Sequence, residues 1–262
     1  MHDHTSSDDP GAVVDVLIGR QGYLAALLDG PVQKRDLVER FDVSRSTVNR
    51  AVRDLEAAGL AERTPTGYRA TVYGRLADGA FRTFSRQVDG IADASAALTD
   101  LSTETPLDPV LFEDADIVLP ETHAPDKPLL RVLDLVRRAD HIWGFSPTAF
   151  ESYVNVFQQR IVSEGMSADL VFSRDVLEYL LTEYAERFRE AFEKPALTVY
   201  RTEDAIPFGL LLSDTGDGEE VGVVVYGSDG ITGFVCSEAA AATDWARRLF
   251  ESVRDDATRV DP

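Results

Sequence analysis

The sequence predicts a two-domain protein of the α/β class, with a mainly helical amino-terminal domain and a larger carboxy-terminal domain built on a mixed sheet. Three observations support this fold class. From about Val13 to Val88 apolar residues recur at helical spacing, interrupted once by the turn-rich stretch RTPTGYRAT. From Asp116 onward, strand-like apolar runs alternate with amphipathic helices. With 262 residues and 44% hydrophobic content, the chain is long enough for two domains that each bury a core.

The composition is strongly acidic, with 46 acidic and 26 basic residues and a formal net charge of -20. Arginine supplies 23 of the basic residues and lysine only 3, and Asp outnumbers Glu 28 to 18. This composition resembles that of proteins from salt-accumulating haloarchaea, in which salt screens the self-repulsion of a high charge. A cytoplasmic location is expected, because no apolar run of ~18 residues and no signal-peptide pattern is found. Residues 1–10 are predicted to form a flexible tail, and the single Cys236 a buried, inert thiol.

Charge is segregated along the chain. The window from Pro31 to Gly90 holds 11 basic and 8 acidic residues, so it is locally positive while the remainder is strongly negative. Such asymmetry indicates that this part of the chain meets a polyanion.

The positive window contains two predicted helices joined by a tight turn at Asp42-Val43. Ser44 is well positioned to cap the second of them, in which Val48, Val52 and Leu55 form an inward stripe. The opposite face carries Arg45, Ser46, Asn49, Arg50 and Arg53. This arrangement is typical of a helix-turn-helix, whose second helix enters the major groove of DNA.

A hairpin with Thr64-Pro65-Thr66-Gly67 at its turn follows Gly59, and a further helix spans about Val72 to Val88. In this order, the stretch DVSRSTVNRAVRDLEAAGLAERTPTGYRAT resembles the winged-helix domain of archaeal and bacterial transcription regulators of the MarR/ArsR type. The resemblance covers roughly residues 12–90. The expected partner is double-stranded DNA. The arginines would bind phosphates or guanine edges, and Ser, Thr and Asn would form hydrogen bonds with bases or with the DNA backbone. The predicted DNA-binding residues are Ser44, Arg45, Ser46, Thr47, Asn49, Arg50, Arg53, Arg63, Tyr68 and Arg69.

Two alternatives to DNA binding are a polar face that is merely solvated and a winged helix that contacts protein. If the module binds DNA, a homodimer is expected, because two half-sites in register multiply a modest single-module affinity. The helix over Val72–Val88, its continuation toward Leu101, or the carboxy-terminal helix could form the interface.

The carboxy-terminal domain begins with three strand–helix units, which predict crossover connections and a parallel sheet. Their strands are DIVLP, DHIWGFS and ADLVFS. Four later strands follow, ALTVYR, PFGLLLSD, EVGVVVYG and ITGFVCS, and short turns join the last three as an antiparallel meander. A closing helix over Ala239–Val253 carries one apolar face.

This domain, with ADHIWGFS and GITGFVCSEAAAATDWARRLFE, is similar to the middle domain of archaeal regulators of the FilR type (methanogenesis regulatory protein) over about residues 105–256. The resemblance implies a sensor-like domain distantly related to phospholipase-D-like folds. A nuclease of that kind needs His-x-Lys followed four residues later by Asp. None of the four histidines, His2, His4, His123 and His141, has lysine two places on. P-loop, GxGxxG and HExxH motifs are also absent.

We therefore expect no enzymatic activity and no cofactor. His2, Asp3 and His4 could bind a metal weakly, but a flexible tail explains them better, and no metal site is predicted.

A ligand of the second domain is expected where parallel strands end and helices begin, at 120–123, 145–148 and 173–174. Ser146 and Ser173 are predicted to cap helices, whose free N–H groups favour a small anionic metabolite. The assigned effector-binding residues are Glu121, His123, Ser146, Thr148, Ser173, Arg174 and Arg201. The alternative is that the serines are ordinary caps and His123 is a loop residue.

The predicted domain order is a tail (1–10), a winged helix-turn-helix (11–90), a helix extension or linker (91–110) and an α/β sensor domain (111–262). The predicted function is a sequence-specific DNA-binding transcription regulator of a halophilic archaeon, with effector sensing or dimerisation in the second domain. One alternative is a DNA-recruited phosphodiesterase or nuclease, which lacks its His-x-Lys. The other is a winged-helix adaptor, which would keep its protein partner when Arg45 and Arg50 are removed.

Overall fold

The computed structural model describes residues 10–228 and 230–261, and the chain divides into two units between Ser85 and Arg86. Residues 1–9 of the predicted tail, including His2, Asp3 and His4, lie outside the described residues. None of the helices in the described part of the chain combines the length and apolarity that a membrane span requires.

The amino-terminal unit is a winged helix-turn-helix. Its elements are α1 (Pro10–Ala26), α2 (Lys34–Phe41), α3 (Arg45–Ala57), β1 (Ala61–Thr64), β2 (Gly67–Ala70) and α4 (Val72–Asp93), the last of which continues past residue 85. The core is aliphatic, and its fully buried members are Leu24, Leu37, Val48, Val52, Leu55 and Leu60. The inward stripe predicted for the second helix of the pair is therefore confirmed.

Two backbone features fix the path into and out of α3. Asp42 closes α2 in the left-handed conformation, with φ of 48°, and so makes the predicted turn tight. Ser44 is the N-cap of α3, and its hydroxyl accepts the backbone N–H of Thr47 at 3.2 Å. Gly59, with φ of 72°, follows the last turn and redirects the chain into β1.

The wing is a two-residue hairpin. β1 and β2 pair antiparallel with Thr64 opposite Gly67, which leaves Pro65 and Thr66 as the loop. Val32 adds a third, one-residue strand, because it exchanges backbone hydrogen bonds of 2.8 and 2.9 Å with Tyr68. The wing is thereby attached to the segment that leads into α2.

The second unit is built around one eight-stranded mixed sheet of order β10-β6-β5-β4-β7-β8-β9-β3. Its strands are β3 (Asp116–Val118), β4 (His141–Ser146), β5 (Ser167–Ser173), β6 (Leu197–Thr202), β7 (Gly209–Asp214), β8 (Glu219–Gly227), β9 (Gly230–Ser237) and β10 (Thr258–Val260). Its helices are α5 (Ser95–Leu98), α6 (Lys127–Arg138), α7 (Glu151–Ser163), α8 (Arg174–Glu183), α9 (Ala185–Phe192) and α10 (Ala240–Asp255), with a 3₁₀ turn at Pro109–Phe112.

Helices cover both faces of this sheet. One core contains residues of α6, α7, α8 and α9, and the other contains residues of α5, the 3₁₀ turn and α10. The segment predicted as a linker includes Ala94 and Ala97, which are fully buried in the second of these cores.

The predicted α/β class with a mixed sheet is confirmed, including the β7-β8-β9 meander. β4, β5 and β6 are parallel neighbours. The predicted membership of β3 in that parallel group was wrong, because β3 pairs antiparallel with β9 at the far edge. There it covers a strand whose outer hydrogen-bonding groups would otherwise be exposed. At the opposite edge β10, which the sequence does not predict, pairs with β6.

Candidate nucleic-acid interface

The outer face of α3 is a solvent-exposed arginine surface. Arg45, Arg50 and Arg53 are all exposed, whereas Val48 and Val52, one helical face away, are fully buried. The buried stripe anchors α3 against the rest of the unit and so fixes the direction in which the arginines project. Ser46, Thr47 and Asn49 are exposed on the same outer side.

This arginine surface is not neutralised by the chain's own acids. Across residues 10–228 and 230–261, none of Arg45, Arg50 and Arg53 makes an ion pair with a carboxylate. Asp54, the residue after Arg53, is engaged instead by Arg20 of α1, whose Nε and Nη2 each donate at 3.1 Å. Arg20 thus offsets a negative charge carried by α3 itself.

Three hydroxyl groups cluster at the start of α3. The Ser44 hydroxyl lies 2.7 Å from that of Ser46 and 2.9 Å from that of Thr47. Because Ser44 also caps the helix, its role is structural, while Ser46 and Thr47 remain exposed to a ligand. The first turn of a helix carries unpaired N–H groups that favour a phosphate.

At the wing, the predicted residues differ in how available they are. Arg63 is exposed and makes no ion pair within the described residues. Arg69 Nε donates to Glu62 Oε1 at 2.7 Å, so its charge is offset across the hairpin. Tyr68 is half-buried, and the ammonium group of Lys34 lies 4.8 Å from the centre of its ring. Lys34 is therefore a wing-side cation that the sequence analysis did not select, because only the Val32–Tyr68 pairing brings it there.

In the second unit, the seven predicted effector-binding residues do not form one site. Glu121 and His123 follow β3 and belong to a local cluster in which Glu121 lies 2.6 Å from Lys127 and 3.1 Å from His123. β3 is four strands away from β4, which corresponds to about 19 Å at the usual strand spacing. Ser146 and Thr148 follow β4 and are separated from this cluster.

Ser173, Arg174 and Arg201 lie together at the ends of β5 and β6. Ser173 caps α8 as predicted, with its hydroxyl 3.4 Å from the N–H of Val176. The two arginines are already paired, Arg174 with Glu178 at 2.9 Å and Arg201 with Glu203 at 3.3 Å.

The predicted cap at Ser146 was wrong. α7 begins at Glu151, and its N-cap is Phe150. The Ser146 hydroxyl donates instead to the carbonyl of Thr148 at 2.8 Å, within a local turn, and lies 3.3 Å from the Tyr226 hydroxyl. Ser146 and Thr148 line an apolar cavity together with Tyr226. Sequence reasoning missed this cavity, because Tyr226 is in β8, far along the chain.

A second polar group that the sequence did not reveal lies at the opposite ends of the parallel strands. His141 opens β4 and Ser167 opens β5, and His141 Nδ1 lies 2.6 Å from Ser167 Oγ. His141 Nε2 is 3.2 Å from the carboxylate of Asp169. Hydrogen bonding from His141 lowers the pKa of Asp169, although burial acts in the other direction. The described residues contain no cluster of three or more His, Cys, Asp or Glu arranged to hold a metal ion.

Two family models match the chain. Residues 125–256, just over half of its length, match the middle domain of the methanogenesis regulatory protein FilR1. Residues 16–93 match the HVO_A0261 N-terminal domain. No curated protein sequence matches the chain.

Three solved structures resemble the chain at low sequence identity. TrmBL2, an archaeal chromatin protein whose structure is described as showing a novel mode of DNA binding, is 14% identical. That alignment covers 96% of this chain and 100% of TrmBL2, with a TM-score of 0.42. Nuc from Salmonella typhimurium, a phospholipase D family member, is 7% identical over 57% of this chain and 100% of its own, with a TM-score of 0.44. NucT from Helicobacter pylori is 7% identical over 56% of this chain and 99% of its own, with a TM-score of 0.42.

These structural scores are too low to support a functional inference, whereas the family models match each unit separately. The α/β unit accounts for the FilR1 match, and the winged helix-turn-helix accounts for most of the second match. The chain therefore belongs to the family of archaeal transcription regulators that carry the FilR1 middle domain.

Proposed function

We propose that this regulator binds double-stranded DNA sequence-specifically, with α3 in the major groove and the wing on the flanking backbone. The observation that carries this proposal is the exposed arginine surface of α3, free of ion pairs within the described residues, in a chain of net charge -20. Duplex DNA carries one negative charge per ~1.7 Å of axis, so a surface that meets it needs cations that the chain's own acids do not already neutralise. Elsewhere in the chain, acids outnumber bases.

Different residues of the surface supply affinity and specificity. Arg45, Arg50 and Arg53 reach phosphates or guanine edges. Contacts with phosphates supply affinity, and contacts with guanine edges distinguish one base from another. Ser46 and Asn49, on the same side of α3, supply hydrogen bonds to bases or backbone. Arg63 extends the contact to the wing, whereas Tyr68 and Arg69 contribute less because both already have partners within the unit.

The acidity of the rest of the surface supports a halophilic host. In molar salt, ion release contributes little to DNA affinity, so hydrogen bonds and shape carry a larger share of it. Because these contributions do not depend on ion release, DNA binding is expected to be measurable in molar KCl. The same salt screens the self-repulsion of so acidic a chain.

The regulator is proposed to act as a homodimer. α1 exposes Val14 and Ile18 one turn apart, and α4 exposes Val72 and Leu76 one turn apart. Ile18 is 68%, Leu76 69% and Val72 77% exposed, unusually high fractions for apolar side chains that recur on one helical face. A second copy would cover these stripes and set two recognition helices at a fixed spacing.

The second unit is proposed to sense a small-molecule effector rather than to catalyse a reaction. Its membership in a regulatory family and its ligand-sized apolar cavity support sensing. The absence of His-x-Lys from the sequence argues against phospholipase-D-type chemistry.

DNA binding can be tested by selecting duplexes from a random library on the full chain in molar KCl and measuring their affinity by fluorescence anisotropy. Arg50→Ala is expected to weaken binding of the selected duplex by about 1–3 kcal/mol if Arg50 grips a guanine. Arg174→Ala, which removes an exposed arginine charge from the other unit, is the control and should leave affinity unchanged. If both substitutions weaken binding of the selected duplex equally, the proposal is refuted.

Dimerisation can be tested by sedimentation equilibrium. Leu76→Glu should shift the chain toward monomer, because burying an unpaired charge in an apolar dimer interface costs free energy. Leu130→Glu, at an exposed leucine of α6, is the matched control. A dimer unaffected by Leu76→Glu would exclude this part of α4 from the interface.

A further inference from the structure

The second unit contains an apolar cavity of about 80 Å³ that the sequence did not predict. It lies beside the end of β4, between the sheet and helices α7 and α9. Its walls are almost entirely hydrocarbon, formed among others by Val132, Phe157, Leu170, Phe188, Leu211 and Val224. The cavity is partly open to the surface, and its hydrocarbon walls offer few hydrogen bonds to water. A cavity of roughly 150 Å³ with similar walls takes up benzene, so this one suits at most a ring or short chain of about that size.

One corner of the cavity is polar. Tyr226 Oη lies 3.3 Å from Ser146 Oγ, and because the Ser146 hydrogen is donated to the Thr148 carbonyl, Tyr226 is the donor in this pair. Tyr153 Oη is buried close to Tyr226 but makes no hydrogen bond of good geometry within the described residues. Burial raises the pKa of Tyr153, so the hydroxyl keeps its proton and remains a donor. Its interaction with the Tyr226 hydroxyl falls short of good hydrogen-bond geometry, so the Tyr153 donor is incompletely satisfied, and a ligand oxygen would give it a better acceptor.

The rim of the cavity offers no free charge. Arg187 donates to Glu151 at 3.2 Å and also to Asn155, and its guanidinium group lies 5.3 Å from the centre of the Tyr184 ring. Since Arg187 is already neutralised, an anionic ligand would enter hydrocarbon walls without a counter-ion. The chemistry of the cavity therefore favours an uncharged ligand over the anion expected from the sequence.

We propose that this cavity is the effector site and that it takes a small, uncharged molecule with an apolar body and one oxygen atom. The oxygen accepts the hydrogen bond of Tyr153, and the body fills the space between α7, α9 and the sheet. The effector role rests on the proposed function as a regulator, whereas occupancy of the cavity does not.

The test measures occupancy directly on the full chain in molar KCl, by NMR of labelled valine and leucine methyl groups, with cyclopentanone and cyclopentane as probes. Both probes are expected to produce saturable shifts in the methyls of Val132, Leu170, Leu211 and Val224. Tyr153→Phe should weaken cyclopentanone roughly three- to tenfold, the effect of one hydrogen bond, and leave cyclopentane unchanged. Two cavity-filling variants, Ala191→Leu and Ala149→Leu, should each abolish the shifts, so that failure of one to fold leaves the other informative.

Several results would overturn the proposal. Absence of saturable shifts with both probes, or shifts that persist in whichever filling variants fold, would refute the site. Equal weakening of both probes by Tyr153→Phe would refute the role of its hydroxyl. If cyclopentanone occupies the cavity and leaves the affinity for a selected duplex unchanged, the effector role fails. If no duplex is bound in any condition, the proposed function fails while the NMR result still stands.

Discussion

The sharpest stability prediction concerns two glycines of α4 that differ only in their surroundings. Gly74 faces the chain segment that leaves α3, and a Cβ added there would lie 1.9 Å from the carbonyl oxygen of Leu60. That oxygen cannot easily retreat, because it accepts the backbone N–H of Thr71 at 3.0 Å. Gly79, just over one turn later, is exposed and has no atom within 4 Å of an added Cβ.

The expected magnitudes follow from this contrast. An ordinary carbon–oxygen contact is about 3.2 Å, so Gly74→Ala must separate α4 from Leu60 by about 1.3 Å in a close-packed region. Overpacking of this kind costs about 1–3 kcal/mol. Both substitutions gain the same helix propensity, about 1 kcal/mol for Gly→Ala in a helix interior. Gly79→Ala should therefore stabilise the unit, and Gly74→Ala should be less stable than Gly79→Ala by about the overpacking cost.

The free energy of unfolding of each variant can be measured in molar KCl by guanidinium chloride titration, followed by circular dichroism. Because Thr71 and Leu60 also fix the start of the wing, Gly74→Ala should in addition weaken DNA binding, whereas Gly79→Ala should not. Equal stability of the two variants would show that α4 and Leu60 do not pack as described.

Two further predictions concern charged groups of the second unit. Glu220 is buried and accepts hydrogen bonds from Arg131 at 2.9 Å and from a second arginine at 2.7 Å. Glu220→Ala removes the buried partner of both arginines, which among the described residues keep only longer ion pairs with Asp116 and Asp134, and should cost about 1.5–3 kcal/mol. Glu178→Ala, at an exposed ion pair, should cost well under 1 kcal/mol. Similar losses for the two variants in chemical denaturation would contradict the burial of Glu220. His141 lowers the pKa of Asp169 in the folded state. At any pH above the pKa of an unfolded aspartate, about 3.9, the Asp169 carboxylate therefore stabilises the fold. This contribution is lost as the pH falls through the lower pKa of the folded state. Asp169→Asn should thus reduce the unfolding temperature more at pH 7 than at about pH 3, and an equal reduction at both would exclude this linkage.

Local features of the first unit could be predicted because they depend on residues close in sequence. The cap at Ser44 and the stripe of Val48, Val52 and Leu55 follow from helix geometry alone. What could not be predicted is how distant side chains modify the surface. The pairing of Arg20 with Asp54 and the position of Lys34 over Tyr68 both require tertiary contacts between elements.

In the second unit, the elements could be predicted from the sequence but their order in the sheet could not. β3 reads as the first strand of a parallel series, yet it pairs with β9, more than a hundred residues later. Strand order depends on such long-range pairing, which local periodicity does not encode. The cavity escaped prediction for the same reason, since Tyr153 and Tyr226 come together only after β4, α7 and β8 are assembled.

The measurement that tests the central claim most directly is the salt dependence of duplex affinity for the wild-type chain and for the combined Arg45, Arg50 and Arg53→Ala variant. If these side chains touch DNA phosphates, the logarithmic salt slope should fall by about 0.9 for each contact removed, and affinity should drop at every salt concentration. Unchanged slope and affinity in the folded triple variant would mean that the exposed arginines of α3 serve some purpose other than docking on DNA.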